Sequence, residues 1–162
     1  MKFGRVGLAV LMASLAVGPA HAQQRCLQPA ERTALHVKVL QSDLMVAALS
    51  CRDVPGFDYR GAYNTFMQRH GTGVSRHMAT LQGYFRAAYG GQWQNRFDQF
   101  SAAIANEASR QSMSSVSFCV ESVQVMQWAM QITAESLGSS ADMFAQSRGV
   151  RSGCHAESAR AR

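Results

Sequence analysis

Apolar residues recur at three- and four-residue steps along nearly the whole chain, and strict alternation of apolar and polar positions is almost absent, so the pattern predicts an all-α protein. About five helices are expected. The first opens at Pro29, whose fixed φ suits a first turn, and Glu31 sits well against the positive end of the helix dipole. Its seam is Thr33, Val37, Leu40, Leu44, Ala47 and Cys51, and Pro55-Gly56 breaks it. Helix two spans 58–70 with Tyr59, Tyr63, Phe66 and His70 on one face, and Gly71-Thr72-Gly73 reads as its stop. Helix three (74–89) buries Val74, Met78, Leu81, Phe85 and Ala88 and ends at Gly90-Gly91. Helix four (92–112) carries Trp93, Phe97, Phe100, Ile104 and Ala108. Helix five (115–137) has Val116, Cys119, Val123, Met126, Met130, Thr133 and Leu137, flanked by Phe118, Val125 and Ile132. Being apolar around most of its circumference, it is expected to be the central helix. Gly138 ends it. The Ser-, Arg-, Ala- and Gly-rich stretch 139–162 reads as a flexible tail, with at most a short helix near 141–147, anchored by Cys154.

Short connections make sequential helices antiparallel, which predicts a disulfide-stabilised up-down bundle over residues 23–138. Residues 1–22 are set apart by a different pattern: Lys2 and Arg5 precede an apolar run from Val6 to Ala20, and Ala20-His21-Ala22 offers a small-x-small cleavage site. That is the layout of a secretory signal peptide cleaved near Ala22. The run is short of the roughly 20 residues that cross a bilayer, so the mature protein is expected to be periplasmic or secreted and not membrane-spanning.

Export changes the meaning of the four cysteines, Cys26, Cys51, Cys119 and Cys154, because an even count in an oxidising compartment reads as two disulfides. Three pairings are possible. Helix parity favours Cys26 with Cys119 and Cys51 with Cys154, while tilting of two short helices would instead bring Cys51 to Cys119. No C-x-x-C is present, which removes thioredoxin-like, zinc-ribbon and c-type haem signatures.

The full chain of 162 residues has 47% hydrophobic residues and a formal charge of +6, which places it among globular proteins and leaves it mildly basic. Beyond residue 22, 14 basic residues face 10 acidic ones, and all the basic ones but Lys38 are Arg. These are spread along the helices without a basic block, as on a solvated surface. Export also makes nucleic acid an unsuitable partner, so an envelope protein or an anionic envelope component is expected instead.

Searching for enzyme signatures returns no G-x-S-x-G, H-E-x-x-H, P-loop, G-x-G-x-x-G or EF-hand loop. The sharpest chemical pattern is histidine placement. His36, His70 and His77 fall toward one end of the expected bundle, with Glu107 and Glu121 pointing the same way, a set of N and O donors that would suit zinc or copper. Each imidazole could equally serve as a buried group bonded to a carbonyl or carboxylate, in which case no cofactor is needed. On helix one, Arg32, His36, Asp43 and Ser50 form a polar stripe between apolar neighbours. Burying it calls for partners, either a network joining helix one to helix five or a small polar pocket of Arg32, His36 and Asp43 with Asp43 as its acid. Met126 and Met130 occupy seam positions that suit core filling. Trp128, at the edge of the polar arc of helix five, and Tyr89, beside the Gly90-Gly91 turn, are the candidate interface residues.

Leu44 to Cys51 (LMVAALSC), Tyr63-Asn64-Thr65-Phe66, Gly83 to Gly90 (GYFRAAYG), Ala103 to Ser109 (AIANEAS) and Phe118-Cys119 together make the chain resemble a set of small exported four-cysteine helical proteins of Gram-negative bacteria with no assigned activity. The likeness runs from about residue 40 to 120. It implies export and a helical fold and carries over no catalytic residue. The expected role is a non-enzymatic binding or interaction protein of the cell envelope. Two alternatives stand beside it: a metal-binding or hydrolytic protein using His36, His70 and His77, and an inhibitor or immunity-type partner protein.

Overall fold

The computed structural model describes residues 26–52 and 54–150; the leader (1–22) and Cys154 lie outside them. Among the described residues the chain is all-α, as the periodicity predicts. Helix α1 is Pro29–Ser50, and Glu31 turns back to accept a bond from the Gln28 N–H at 2.8 Å, closing its first turn. Helix α2 is Tyr59–Tyr89, opened by Asp58, whose carboxylate accepts from Gly61 N–H at 2.9 Å. Gly90, at φ 52°, ends α2 and leads through a 3-10 turn (Gly90–Gln92) into α3, Trp93–Ser114. Helices α4 (Phe118–Gln131) and α5 (Leu137–Ser147) complete the bundle.

The helix count of five arises differently from the expectation. Predicted helices two and three are one helix of 31 residues. Neither Gly71 nor Gly73 has a positive φ, so no turn conformation is used there. Gly73 serves packing instead: a Cβ built on it would lie 2.9 Å from Leu137 Cδ2, so the missing side chain is the notch into which α5 seats Leu137. Predicted helix five, conversely, is divided. Thr133 and Ser136 bond reciprocally, Ser136 Oγ accepting from Thr133 N–H at 3.0 Å and Thr133 Oγ1 from Ser136 N–H at 3.2 Å. These bonds fold a turn between α4 and α5. Gly138, read as a stop, is inside α5, where a Cβ would stand 3.0 Å from Thr33 Cγ2. Residues 139–147, in the stretch read as a tail with at most a short helix near 141–147, belong to α5, and Ser140, Ala141, Phe144 and Ala145 among them are buried.

Joining two predicted helices into one reverses the parity of everything after it. Helices α1, α3 and α5 run one way: Ser50 meets Ser112, and Thr33 and Asp43 meet Asp142 and Arg148 in the same order. Helices α2 and α4 run the other way together, Tyr59 meeting Cys119 and Arg69 meeting Met130. The start of α4 therefore lies beside the end of α1, and the disulfide is Cys51–Cys119, with Cα atoms 5.6 Å apart. This corrects the parity pairing of Cys26 with Cys119 and of Cys51 with Cys154. Cys26 is itself disulfide-bonded.

The central helix is α1, not the segment predicted as helix five. It packs against each of the other four helices, and 12 of its 22 residues are buried, against four of the 14 in α4. Two apolar clusters meet on it. The larger joins α1, α2, α4 and α5 around Leu40, Leu44, Phe66 and Met126. In the smaller, Ala34, Leu35, Leu81 and Phe85 carry a sheath of half-buried aromatics from α2 and α3, including Tyr89, Trp93, Phe97 and Phe100. Ala108 alone is buried in α3. That helix therefore lies loosely on the bundle.

Candidate functional site

Two members of the polar stripe of α1, His36 and Asp43, find partners on α5 and its C-cap. His36 Nδ1 lies 2.7 Å from Asp142 Oδ1, and Thr33 Oγ1 donates to Asp142 Oδ2 at 3.0 Å, so one carboxylate ties down two positions of α1. Two turns on, Arg148 donates from Nε (3.1 Å) and Nη2 (2.7 Å) to Asp43 Oδ2. Burial pushes the Asp43 carboxyl above its ordinary pKa, and the guanidinium works against that shift. Arg32 is exposed. The expected Arg32, His36 and Asp43 pocket is therefore two separate α1–α5 links, and Arg32 belongs to neither.

Asp43 does border a cleft. Between α1 and α3 lies a hollow of about 450 Å³, walled by Leu35 and Val39 on one side and Phe100, Ile104 and Ala108 on the other. Arg148, Gly149 and Val150 close one end. Gly149 is at φ 67°, and Val150 N–H donates to Ala145 O at 2.9 Å, which turns the chain back from α5 onto this wall. The charged groups on the cleft are already matched: Asp43 with Arg148, and Glu107 with Arg110, with Gln111 also donating to Glu107 at 3.1 Å. No Ser, Thr, Cys, His or Lys is among the described lining residues. The site can hold an apolar body between two helices.

The proposed metal set is not assembled. Among the described residues no three His, Cys, Asp or Glu side chains are grouped to hold an ion. His36 is committed to Asp142. His77, near Gly138, feels the same Asp142, while burial and Arg76 hold its pKa below the ordinary histidine value. His70 is 2% exposed and packs on Phe66 with ring centroids 5.0 Å apart; neither ring nitrogen has a hydrogen-bond partner among the described residues. Burial and the neighbouring Arg69 lower its pKa, keeping it neutral. Glu107 lines the cleft, and Glu121 accepts from Ser117 at 2.5 Å at the start of α4.

Of the expected interface residues, Tyr89 is half-buried, stacked on Phe85 at 5.5 Å with Arg96 over its ring, and so belongs to the smaller core. Trp128 is covered on one side by Phe144, 6.3 Å away and nearly parallel, and lines a shallow groove with Val125 and Met143. Periodicity missed a more exposed surface at the disulfide end. There Leu49, Met113, Val116 and Val120 are 64%, 80%, 106% and 68% exposed. Arg148 and Asp142 were missed because they lie in the segment read as tail; the face formed by Leu137, Ala141, Phe144 and Ala145 was the available signal of a helix there. No helix among the described residues is long and apolar enough to cross a membrane. No family model, curated protein or solved structure was found to match the chain.

Proposed function

We propose that this is an exported, oxidised, non-enzymatic binding protein of the cell envelope, and that it takes a neutral, largely apolar group in the cleft between α1 and α3. The observation that carries the reading is the cleft itself. Its volume of about 450 Å³ falls within the range of small-molecule sites, its walls are apolar, and its charges neutralise one another. The signal-like residues 1–22 and the Cys51–Cys119 bridge support an extracytoplasmic setting.

Titration with the neutral fluorophore N-phenyl-1-naphthylamine tests it. Saturable binding is expected, and Ala103→Trp, which fills the cleft from its exposed rim, is expected to weaken it at least tenfold. Binding that does not saturate, or that ignores Ala103→Trp, overturns the reading. Export is checked by fractionation and by a mature N-terminus at Gln23.

A second reading, an inhibitor- or immunity-type partner of another protein, is favoured by the exposed apolar side chains at the disulfide end. Capture of a stoichiometric envelope protein by tagged bait, lost with Val116→Glu and Val120→Glu, would support it.

A further inference from the structure

The cleft between α1 and α3 changes character along its length. Leu35 and Phe100 wall one end, and Asp43, Glu107, Gln111 and Arg148 the other. Because α1 and α3 run the same way, the earlier residues of both helices make the apolar end and the later ones the polar end. At the polar end each carboxylate has a guanidinium of its own, Arg148 for Asp43 and Arg110 for Glu107, so no charge among the described lining residues is left unmatched for an ionic head group. Hydroxyl groups suit that end better, since they donate and accept hydrogen bonds without needing a counter-ion.

The apolar end has a floor. The Phe100 ring is backed by Phe85, itself 5% exposed, with centroids 5.1 Å apart. Behind Phe100 lies a separate hollow of about 170 Å³ bordered by Leu81, Phe85 and Tyr89. Phe100 is the residue that lines both spaces, so its ring is the partition between them. From Asp43 back to Leu35 along α1 is eight residues, about 12 Å, and from Glu107 back to Phe100 along α3 is seven, about 10 Å. An extended chain advances about 1.2 Å per bond, a third of the roughly 3.6 Å spanned by the three bonds of a residue, so the distance takes about eight to ten carbons.

We infer that the cleft takes a single-chain amphiphile with an uncharged, hydroxyl-bearing head group and a tail of about eight to ten carbons, the head beside Asp43, Gln111 and Arg148 and the tail ending on Phe100, which sets the chain length accepted. This rests on the cleft being the binding site proposed above and adds the class of ligand and the residue that selects it. The wall that must part to admit the chain is the loosely held one, since α3 buries only Ala108, and Ala103 on its exposed rim marks the way in. Each methylene kept in apolar surroundings is worth about fourfold in affinity, a gain that stops when the chain meets a floor.

The test uses the full oxidised protein and displacement of N-phenyl-1-naphthylamine by hexyl, decyl and tetradecyl maltoside, each below its micellar concentration. Decyl maltoside is expected to bind at least thirtyfold tighter than hexyl, and tetradecyl less than threefold tighter than decyl. Phe100→Ala opens the cleft into the hollow behind it, which has room for about five more methylenes at about 30 Å³ each, and tetradecyl is then expected to gain at least tenfold over decyl. Phe100→Leu, which leaves a smaller void, is expected to move the preference the same way by at least threefold. Phe97→Ala removes a ring that also packs on Phe85 but lines neither space, and is expected to keep the wild-type preference. Decanoate and decyltrimethylammonium are expected to bind at least tenfold more weakly than decyl maltoside. Affinity that climbs fourfold per methylene through tetradecyl in the wild type, a length preference that Phe100→Leu leaves unchanged or that Phe97→Ala alters equally, or a charged decyl compound that binds as tightly as the maltoside overturns the inference. If the fluorophore saturates a site lost in Ala103→Trp and no maltoside displaces it, the cleft remains the binding site and the amphiphile falls; if nothing saturates, both fall.

Discussion

Gly71 and Gly73 are two residues apart in the same helix, yet the structure assigns their substitution by alanine opposite signs. At Gly71 an added Cβ meets nothing within 4 Å. Alanine there gains helix propensity, about 1 kcal/mol relative to glycine in a helix interior, part of it through a less flexible unfolded chain. At Gly73 the same gain is opposed, because the Cβ would sit 2.9 Å from Leu137 Cδ2, and Leu137 is 1% exposed with little room to yield. Overpacking of this kind costs about 1–3 kcal/mol, so Gly73→Ala ends between neutral and about 2 kcal/mol destabilised. Gly73→Val removes any doubt about sign by adding two methyls and β-branching. Urea unfolding followed by circular dichroism at 222 nm measures both, provided the slopes agree so that midpoints report stability alone. Gly71→Ala is expected to raise Tm by about 3 °C per kcal/mol gained, on the scaling for a chain of this size. If Gly71→Ala destabilises as much as Gly73→Ala, the pair forms a turn, the helix is interrupted, and the parity that brings Cys51 to Cys119 loses its foundation.

Arg148→Met leaves the Asp43 carboxyl buried without its guanidinium and is expected to cost about 1–3 kcal/mol; a double-mutant cycle with Asp43→Asn should recover part of it as coupling. Removing the inter-helix bridge with Cys51→Ser and Cys119→Ser frees a loop closed across a sequence separation of 68 and is expected to cost about 4 kcal/mol on the chain-entropy model, read from urea midpoints. His70 sets an acid limit. Its folded-state pKa lies below the ordinary value of 6.5, so the unfolded chain takes the proton first. Stability is intact above that value and is lost as pH falls through it toward the folded pKa, at no more than about 1.4 kcal/mol per pH unit. Asp43, with its raised carboxyl, contributes with the opposite sign from the acid side, so the readout is the difference between wild type and His70→Phe across pH 7.5 to 5. An equally steep loss in His70→Phe would refute the assignment.

Periodicity located α1 and α3 nearly to the residue, because their apolar spacing is regular and the ends of α1 carry Pro29 and the Pro55-Gly56 break. It failed where small residues face another helix. Gly73 and Gly138 read as stops from one dimension, whereas in three dimensions they are contact points for Leu137 and Thr33. The Thr133–Ser136 turn lacks Gly and Pro and so left no punctuation to read. The central role of α1 was hidden by Glu31, His36, Ser42 and Asp43, which make a buried helix look amphipathic. Asp43 could be singled out from its place between apolar stripes; Arg148 could not, because only the tertiary fold carries α5 back alongside α1.

The position of α1 has a consequence for assembly. Synthesis from the N-terminal side produces α1 before the other described helices, its neighbours arrive one at a time, and α5, which covers His36 and Asp43, is the last of the described five. Until then a length of helix with both greasy and ionisable faces has nothing to rest on. Whatever shepherds the nascent polypeptide must therefore hold α1 until α5 has emerged, and a fragment cut short before Leu137 should be aggregation-prone, since α1 would still lack that partner.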